Sequence, residues 1–143
     1  MSKVFKFSDS ASLAVHAMLL LGENKEQIFS NKQIAEAIGA SNNHLAKVLL
    51  NLSKRGLVRA IRGPAGGFTI NTNPDELSVY DVYTCVEPDF SNIKCFFNIS
   101  KCDGRFCALG PFSRNIVKKV IEKMKNTKLS DLNVSPKFRP DGG

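Results

Sequence analysis

The sequence is poor in the side chains that enzymes most often use for proton transfer. It contains no tryptophan, two tyrosines and two histidines, His16 and His44. Both histidines fall in segments with helical patterning, and no nucleophile–base pair accompanies either of them. We therefore expect a protein that is not an enzyme and has no small-molecule substrate.

Long hydrophobic runs are also missing. The longest, residues 11–21, has eleven residues and includes His16, whereas about 20 apolar residues are needed to span a bilayer. Lys3 and Lys6 precede this run, as in a secretory signal, but no small-x-small cleavage site follows it. We expect a cytoplasmic protein with no membrane partner. Closely spaced cysteines in that compartment favour metal binding or redox chemistry over structural disulfides.

The third absence is of acidic residues in the middle of the chain. The whole chain has 20 basic and 13 acidic residues, a net charge of +7. Residues 41–74 contain five basic residues and no acidic one, whereas residues 75–90 contain five acidic residues and no basic one. A surface that faces phosphates excludes carboxylates, so this segment favours double-stranded DNA as a partner. The alternative is a solvated face that happens to lack acids.

Capping signals predict three helices in the first 56 residues. Good N-cap residues within 7–10 begin the first helix, the Ser30–Gln33 capping box begins the second, and Ser41 begins the third. Gly39 ends the second helix as a left-handed cap, and the third stops at Gly56. Two helices joined by a short turn with glycine are typical of a helix-turn-helix, although this pair alone is weak evidence.

A β-hairpin follows the third helix. Residues 57–62 alternate in polarity as in a first strand, residues 63–67 are rich in glycine as in a turn, and residues 68–71 would form the second strand. The order of three helices and a hairpin is that of a winged helix-turn-helix. The predicted fold is therefore mainly α with a small β-hairpin: a winged helix-turn-helix followed by a long C-terminal dimerisation helix.

This layout assigns expected DNA contacts. The N-terminal end of the third helix would meet base edges, where an asparagine suits adenine. Lys47 suits phosphate or guanine, and Arg62 beside the wing glycines suits the minor groove or the backbone. Taken one at a time, these residues could equally be solvent-exposed polar surface. The full set is Ser30, Gln33, Ser41, Asn42, Asn43, His44, Lys47, Arg59, Arg62, Gly63, Gly66 and Gly67.

Two further helices are predicted downstream. Ser78 begins a short helix in which Cys85 is expected to be a small buried side chain. Gly110–Pro111 opens the longest helix, whose apolar residues recur at helical spacing. We expect this helix to pair with a second copy of the chain; the alternative is packing against its own domain. Its predicted apolar face comprises Phe112, Ile116, Val117, Val120, Ile121 and Met124.

These elements divide the chain into four regions. Residues 1–74 are expected to form the DNA-binding region, and 75–110 a short helix with a cysteine-rich loop. Residues 111–132 would contain the dimerisation helix and a short C-terminal element. Residues 133–143, with two prolines and a terminal Gly-Gly, are expected to be a disordered tail.

Three of the four cysteines lie close together, at Cys95, Cys102 and Cys107. Only the second gap has the spacing that zinc sites prefer, and no fourth zinc ligand is evident. Iron–sulfur clusters tolerate irregular spacing because the loop wraps a larger group. Three thiolates with a weaker fourth ligand suit a sensor, so the spacing favours an iron–sulfur cluster of the two-iron or four-iron type.

The chain resembles the Rrf-two (Rrf2) family of bacterial winged-helix repressors over about residues 3–132. The resemblance implies a homodimer in which each subunit holds a cluster beside the dimer helix and the cluster state sets DNA affinity. The motifs that carry it are Phe7–Ser10, Gln33–Ile38, Leu45–Val58, the wing Arg62–Phe68, Ser78–Val82, the three cysteines and Leu129–Leu132.

The resemblance also bears on the fourth ligand. Family cysteines are evenly spaced, whereas Cys102 is displaced here by one position. In the IscR type a histidine after the third cysteine completes the site, but Gly110 stands at that position. In the NsrR type an acidic residue near the N-terminus of the partner subunit does so, and Asp9 stands at the matching place. The resemblance thus implies an NsrR-like site; the alternative is that Asp9 only caps its helix.

The expected function is therefore a homodimeric transcriptional repressor whose operator affinity is controlled by an iron–sulfur cluster. The signal would be nitric oxide, redox state or iron–sulfur status. The nearest alternative keeps the fold and DNA binding but replaces the cluster with a thiol switch or a partner protein. A winged-helix module that binds protein instead of DNA would differ by lacking a steep salt dependence.

Overall fold

The computed structural model describes residues 7–88 and 107–132, and these confirm the predicted mainly helical fold with a small β-hairpin. Two of the predicted cluster ligands, Cys95 and Cys102, and the predicted tail lie outside the described residues. The elements are α1 Asp9–Glu23, α2 Asn31–Ile38, α3 Asn42–Lys54, β1 Val58–Ile61, β2 Gly67–Ile70, α4 Val79–Val86, α5 Gly110–Asn126 and a 3-10 turn Leu129–Asp131.

Serine caps set where the first four helices begin. The hydroxyls of Ser8, Ser30, Ser41 and Ser78 each accept a hydrogen bond from a backbone N–H three residues on. In α2 the Gln33 side chain also accepts from the Ser30 N–H, which completes the predicted capping box. Each such cap stabilises a helix by about 1 kcal/mol. The local sequence thus determines where each of these four helices begins.

One hydrophobic core joins helices α1–α4 and the C-terminal 3-10 turn. Leu129 of that turn is fully buried, and its N–H donates to the Leu77 carbonyl at 2.8 Å. The short C-terminal element therefore closes the core that the DNA-binding helices share. The largest fully buried side chains are Phe29, Met18, Leu20, Leu21, Ile34, Leu45, Leu49, Leu52 and Leu129.

The hairpin is anchored to the segment that precedes α2. Strands β1 and β2 are antiparallel, with Val58 opposite Ile70. Phe29 then pairs with Phe68 through two backbone hydrogen bonds of 3.0 and 2.7 Å. A Cβ atom on Gly67 would collide with the Phe29 carbonyl, so only glycine allows this approach. Strand β2 is thereby held by backbone contacts on both of its edges, with β1 on one side and Phe29 on the other.

Helix α5 differs from the sequence prediction in how its apolar residues are used. Val117, Ile121 and Met124 are buried, and α5 packs against α4. Phe112 is 54 % exposed, while Ile116 and Val120 are half-buried. The predicted single face is in fact two adjacent stripes, and Met124 belongs to the one that packs on its own domain. The stripe that contains Phe112 is the more exposed of the two.

The Gly67 contact predicts a specific loss of stability. Gly67→Ala should lower the free energy of unfolding by more than about 2 kcal/mol, because the new methyl group displaces the Phe29 backbone. Gly63 is a matched control in the same hairpin, with φ at 108° and open space around it. Gly63→Ala should cost about 1 kcal/mol from its left-handed backbone alone.

Urea denaturation followed by circular dichroism, at one protein concentration, measures both losses. Equal losses for the two variants would show that the sheet has room beside Phe29.

Candidate nucleic-acid interface and cysteine site

The outward face of α3 follows from which side of this helix is buried. Leu45, Val48, Leu49 and Leu52 all point into the core. The opposite side is exposed along its whole length, because the helical period of 3.6 residues separates the two sets. Its members are Asn43, Ala46, Lys47, Leu50 and Lys54.

Helix α2 supports the first turn of α3. The Asn31 Nδ2 group donates to the Asn42 backbone carbonyl at 3.1 Å and to the Asn42 Oδ1 atom at 3.3 Å. The Asn31 Oδ1 atom is buried without a hydrogen-bond partner among the described residues. This contact fixes both the Asn42 backbone and the orientation of its side-chain amide.

His44 lies on the other flank of α3, facing helix α1. A hydrogen bond of 3.0 Å joins the His44 Nε2 atom to the Ser10 hydroxyl, and the His44 side chain is half-buried. The sequence predicted a contact with DNA at this position. The structure gives His44 a contact within the protein, since it connects the first turn of α3, the recognition helix of the predicted helix-turn-helix, to the first turn of α1.

The predicted cap residues use their side chains within the protein. Ser30 and Gln33 are engaged with each other in the capping box of α2, and the Ser41 hydroxyl accepts from the His44 N–H. The Ser30 and Gln33 N–H groups are also used in that box. What these caps still offer a phosphate oxygen is the positive end of the helix dipole.

The wing presents its predicted basic side chains to solvent. Arg59 on β1 and Arg62 at the tip are both exposed. Gly63 has the left-handed backbone of the turn, and Gly66 has no room for a Cβ because the Ile61 carbonyl lies against it. Gly66, like Gly67, thus has a structural reason to be glycine, independent of any approach to DNA.

Basic charge covers this side of the molecule. Lys47, Lys54, Arg59 and Arg62 are exposed on α3 and the wing. The guanidinium of Arg55 instead donates to the Thr84 carbonyl at 3.1 Å. Arg55 therefore ties the end of the recognition helix to α4, while the other four cations face outward.

Of the three cysteines predicted to bind the cluster, Cys107 is the one that lies in the described residues. Cys107 is exposed and is not in a disulfide. Within residues 7–88 and 107–132, no group of three or more His, Cys, Asp or Glu side chains could hold a metal ion. Asp9, the predicted fourth ligand, is exposed in the first turn of α1.

The first turn of α1 is connected to two other parts of the chain. The Ser8 hydroxyl donates to the Glu87 carboxylate at 2.7 Å, and the Phe7 ring packs edge-on against Tyr83 at 5.5 Å between centroids. Both partners are at the end of α4, just before the cysteine segment. Ser10 makes the bond to His44 described above.

The fourth cysteine, Cys85, is half-buried, in partial agreement with the expectation of a buried side chain. Its thiol donates to the Asp81 carbonyl at 3.2 Å. Burial raises the pKa of Cys85, and the nearby Arg55 cation lowers this pKa less than burial raises it. The side chain therefore stays in the thiol form at neutral pH, which makes it a poor nucleophile.

Some residues of the candidate interface were not predicted from the sequence. Leu50 and Lys54 follow Asn43 at intervals of seven and eleven residues, so helical periodicity alone could have identified them. The contact of Asn31 with Asn42 and that of Ser10 with His44 have no local signal. Both depend on how separate helices pack.

None of the helices in the described residues is long and apolar enough to cross a membrane.

Comparisons with known proteins agree with this geometry. The NsrR transcriptional regulator of Bacillus subtilis is 30% identical over 107 residues, which cover 74% of this chain and 70% of that protein. The structure of CymR, the global cysteine regulator of B. subtilis, superposes with a TM-score of 0.74 at 25% identity and covers 89% of this chain and 95% of that one. The T. potens IscR structure gives a TM-score of 0.71 at 26% identity, with coverages of 89% and 85%.

The family model described as Rrf2, iron-dependent transcriptional regulator, matches residues 7–134. This match spans the winged helix, α4, α5 and the cysteine segment. The related proteins are transcriptional regulators and not enzymes, as the sequence predicted. The chain is therefore a member of the Rrf2 family of DNA-binding transcriptional regulators.

Proposed function

We propose that this protein is a cytoplasmic, homodimeric repressor whose operator affinity is controlled by an iron–sulfur cluster. Cys95, Cys102 and Cys107 would hold the cluster together with Asp9 of the partner subunit. The observation that carries the proposal is the position of Asp9 between two hydrogen-bonding serines. One of these leads to the cysteine segment and the other to the recognition helix.

The DNA-binding part of the proposal is supported by the exposed face of α3 and by the wing. Both carry cations, and residues 41–74 contain no carboxylate that would repel phosphate. Helix α3 would enter the major groove with its N-terminal turn first, and the wing would reach the backbone or the minor groove.

The donor chemistry of this chain suits an iron–sulfur cluster. Cys107 is exposed and free, so its sulfur is accessible as a ligand. Cys95 and Cys102 supply two more thiols a short distance away in the sequence, and thiolates are the usual ligands of such clusters. When bound, the cluster supplies a reactive site for nitric oxide or oxidants. The raised pKa of Cys85 makes this fourth thiol a weak candidate for a ligand.

The transmission of the signal is proposed to pass through the first turn of α1. Ser8, Asp9 and Ser10 are consecutive, so a ligand bond to Asp9 constrains the backbone of both serines. Ser8 contacts Glu87 and Ser10 contacts His44. A small movement of this turn therefore acts on the recognition helix directly. A coupling of about 3 kcal/mol between the two sites would change operator affinity roughly a hundredfold.

The dimer is supported by two complementary apolar features. On α5, Phe112 is more than half exposed, next to the half-buried Ile116 and Val120. An apolar groove of about 360 Å³ lies between α1, α4 and α5 and is lined by Phe7, Val15 and Tyr83 among others. A second copy of the chain could bury these surfaces, and twofold-symmetric operators require such pairing.

A second candidate function is regulation without a cluster, by thiol chemistry or a partner protein. The structural similarity to CymR, which is described as a cysteine regulator, favours it. Cys107 is the exposed thiol of the described residues that such regulation could use.

The first prediction that tests the proposed function concerns the salt dependence of DNA binding. Lys47→Gln and Arg62→Gln should each reduce the slope of log K against log salt by about 0.9, because each removes one phosphate contact. Lys118→Gln is a matched control, since Lys118 is an exposed lysine of α5 outside the interface. Fluorescence anisotropy with a duplex over a range of salt concentrations measures the slopes. A Lys118 slope reduced as much as the others would place the DNA on another surface.

The second prediction concerns the cluster ligands. Anaerobically purified protein should show visible absorption with bound iron and sulfide, and Cys107→Ser and Asp9→Ala should each reduce them. Cys85→Ala should retain the full amount, because its thiol is half-buried and protonated. Loss of the cluster in the Cys85 variant but not in the Asp9 variant would contradict the ligand assignment. Colourless protein with free thiols and no iron would favour the cluster-free alternative.

The third prediction concerns coupling. Ser10→Ala should preserve the cluster absorption but reduce the ratio of operator affinities between cluster-loaded and cluster-free protein. The reduction should be on the order of 2- to 10-fold, the value of one net hydrogen bond. Ser130→Ala, an exposed serine far along the chain, is the control. The operator is the best duplex recovered from a random-sequence library. An unchanged ratio in the Ser10 variant would rule out this route.

A further inference from the structure

Two adjacent asparagines begin the recognition helix, and the structure treats them differently. Asn42 is engaged by α2 through the Asn31 amide. Asn43 is exposed, and no hydrogen bond joins its side chain to the other described residues. The sequence alone gives the two residues equal standing as readers of DNA bases. Their hydrogen bonds distinguish them.

The Asn42 side chain has one of the two lone pairs of its acceptor atom occupied. Its Oδ1 atom accepts from Asn31 at 3.3 Å, and the same donor also holds the Asn42 carbonyl. The Asn31 contact therefore restrains the Asn42 amide, which is less free than the Asn43 amide to turn both its donor and its acceptor toward one adenine edge. Its NH₂ group suits a phosphate oxygen.

The Asn43 side chain has both functions available and points directly away from the core. It lies opposite the centre of the buried stripe, at the first turn of α3, the end of the helix that would approach the groove floor. Lys47 and Leu50 continue the same line along the helix, one and two turns further on. His44 is removed from this line because its ring turns toward Ser10.

We propose that Asn43 is the specificity-determining residue of the recognition helix and reads an adenine through a bidentate amide contact. Asn42, positioned by Asn31, contacts the DNA backbone instead. This inference deepens the proposed DNA-binding function and rests on it. An amide that donates and accepts matches the N7 acceptor and N6 donor of adenine, whereas guanine presents two acceptors.

The neighbours of Asn43 on α3 indicate which other bases this helix would prefer. Ala46 and Leu50 place apolar side chains on the same face, and these suit the methyl group of thymine. The outward face of α3 has no carboxylate to accept a hydrogen bond from the cytosine amino group. Each half-site should therefore contain an adenine read by Asn43, beside a thymine whose methyl group meets Ala46.

Selection from a library of random-sequence duplexes tests this assignment. Full-length protein, purified anaerobically, is used to recover preferred sites, and the selection is repeated with Asn43→Ala, Asn42→Ala and His44→Ala. Wild-type protein should select one invariant adenine in each half-site. Asn43→Ala should lose that preference, with the discrimination at that position falling by roughly 5- to 150-fold.

The Asn42 variant is the matched control, because it removes the same side chain from the adjacent position. Asn42→Ala should weaken all duplexes uniformly and preserve the selected sequence, as expected for a phosphate contact. His44→Ala should also keep the selected bases. A fourth variant, Asn43→Asp, should change the preferred base. Its carboxylate accepts a hydrogen bond from the cytosine amino group, so the preference should change from adenine to cytosine.

The inference would be overturned if Asn43→Ala kept the wild-type sequence, or if Asn42→Ala or His44→Ala lost the adenine. If the wild-type protein selected no sequence at all, the proposed function would fail, and this inference with it. Thermal unfolding of the four variants shows whether each is folded. The exposed Asn43 is not expected to change the melting temperature.

Discussion

Burial of the α3 leucines is the constraint on which the rest of the interface depends. Leu45, Leu49 and Leu52 are fully buried in the common core. Each contributes about 2 kcal/mol or more from removal of its side chain from water. With that side of α3 fixed, the outward face is determined by geometry alone. The residues that can meet DNA are those the core does not take.

Hydrogen bonds at both ends then set how α3 is held. At its beginning, Asn31 donates a hydrogen bond to the Asn42 carbonyl on one flank, and Ser10 is hydrogen-bonded to His44 on the other. At its end, the Arg55 guanidinium binds the Thr84 carbonyl of α4. These bonds are individually modest, at about 1 kcal/mol each. They matter because they connect the recognition helix to α1 and α4, the elements that lead to the proposed cluster ligands.

The features that the sequence could predict are those with a local cause. The Ser30–Gln33 capping box and the left-handed Gly39 depend on neighbours in the chain, and both are present as expected. The partner of His44 is 34 residues away, so nothing near His44 in the sequence indicates that its ring turns toward Ser10 of α1. The two stripes of α5 could not be separated either. Phe112 and Val117 are both apolar, and only packing on α4 shows which one the domain uses.

The backbone pairing of Phe29 with Phe68 has a consequence for the DNA as well as for the protein. Phe29 immediately precedes the cap of α2, so the wing is joined to the helix pair by backbone hydrogen bonds. The distance between the groove-reading helix and the wing is thus fixed by the fold. Contact with both elements therefore requires a duplex whose shape matches this fixed distance, by bending or twisting where the undistorted duplex does not. Base steps that neither element contacts should still affect affinity, because their stiffness sets the cost of that deformation.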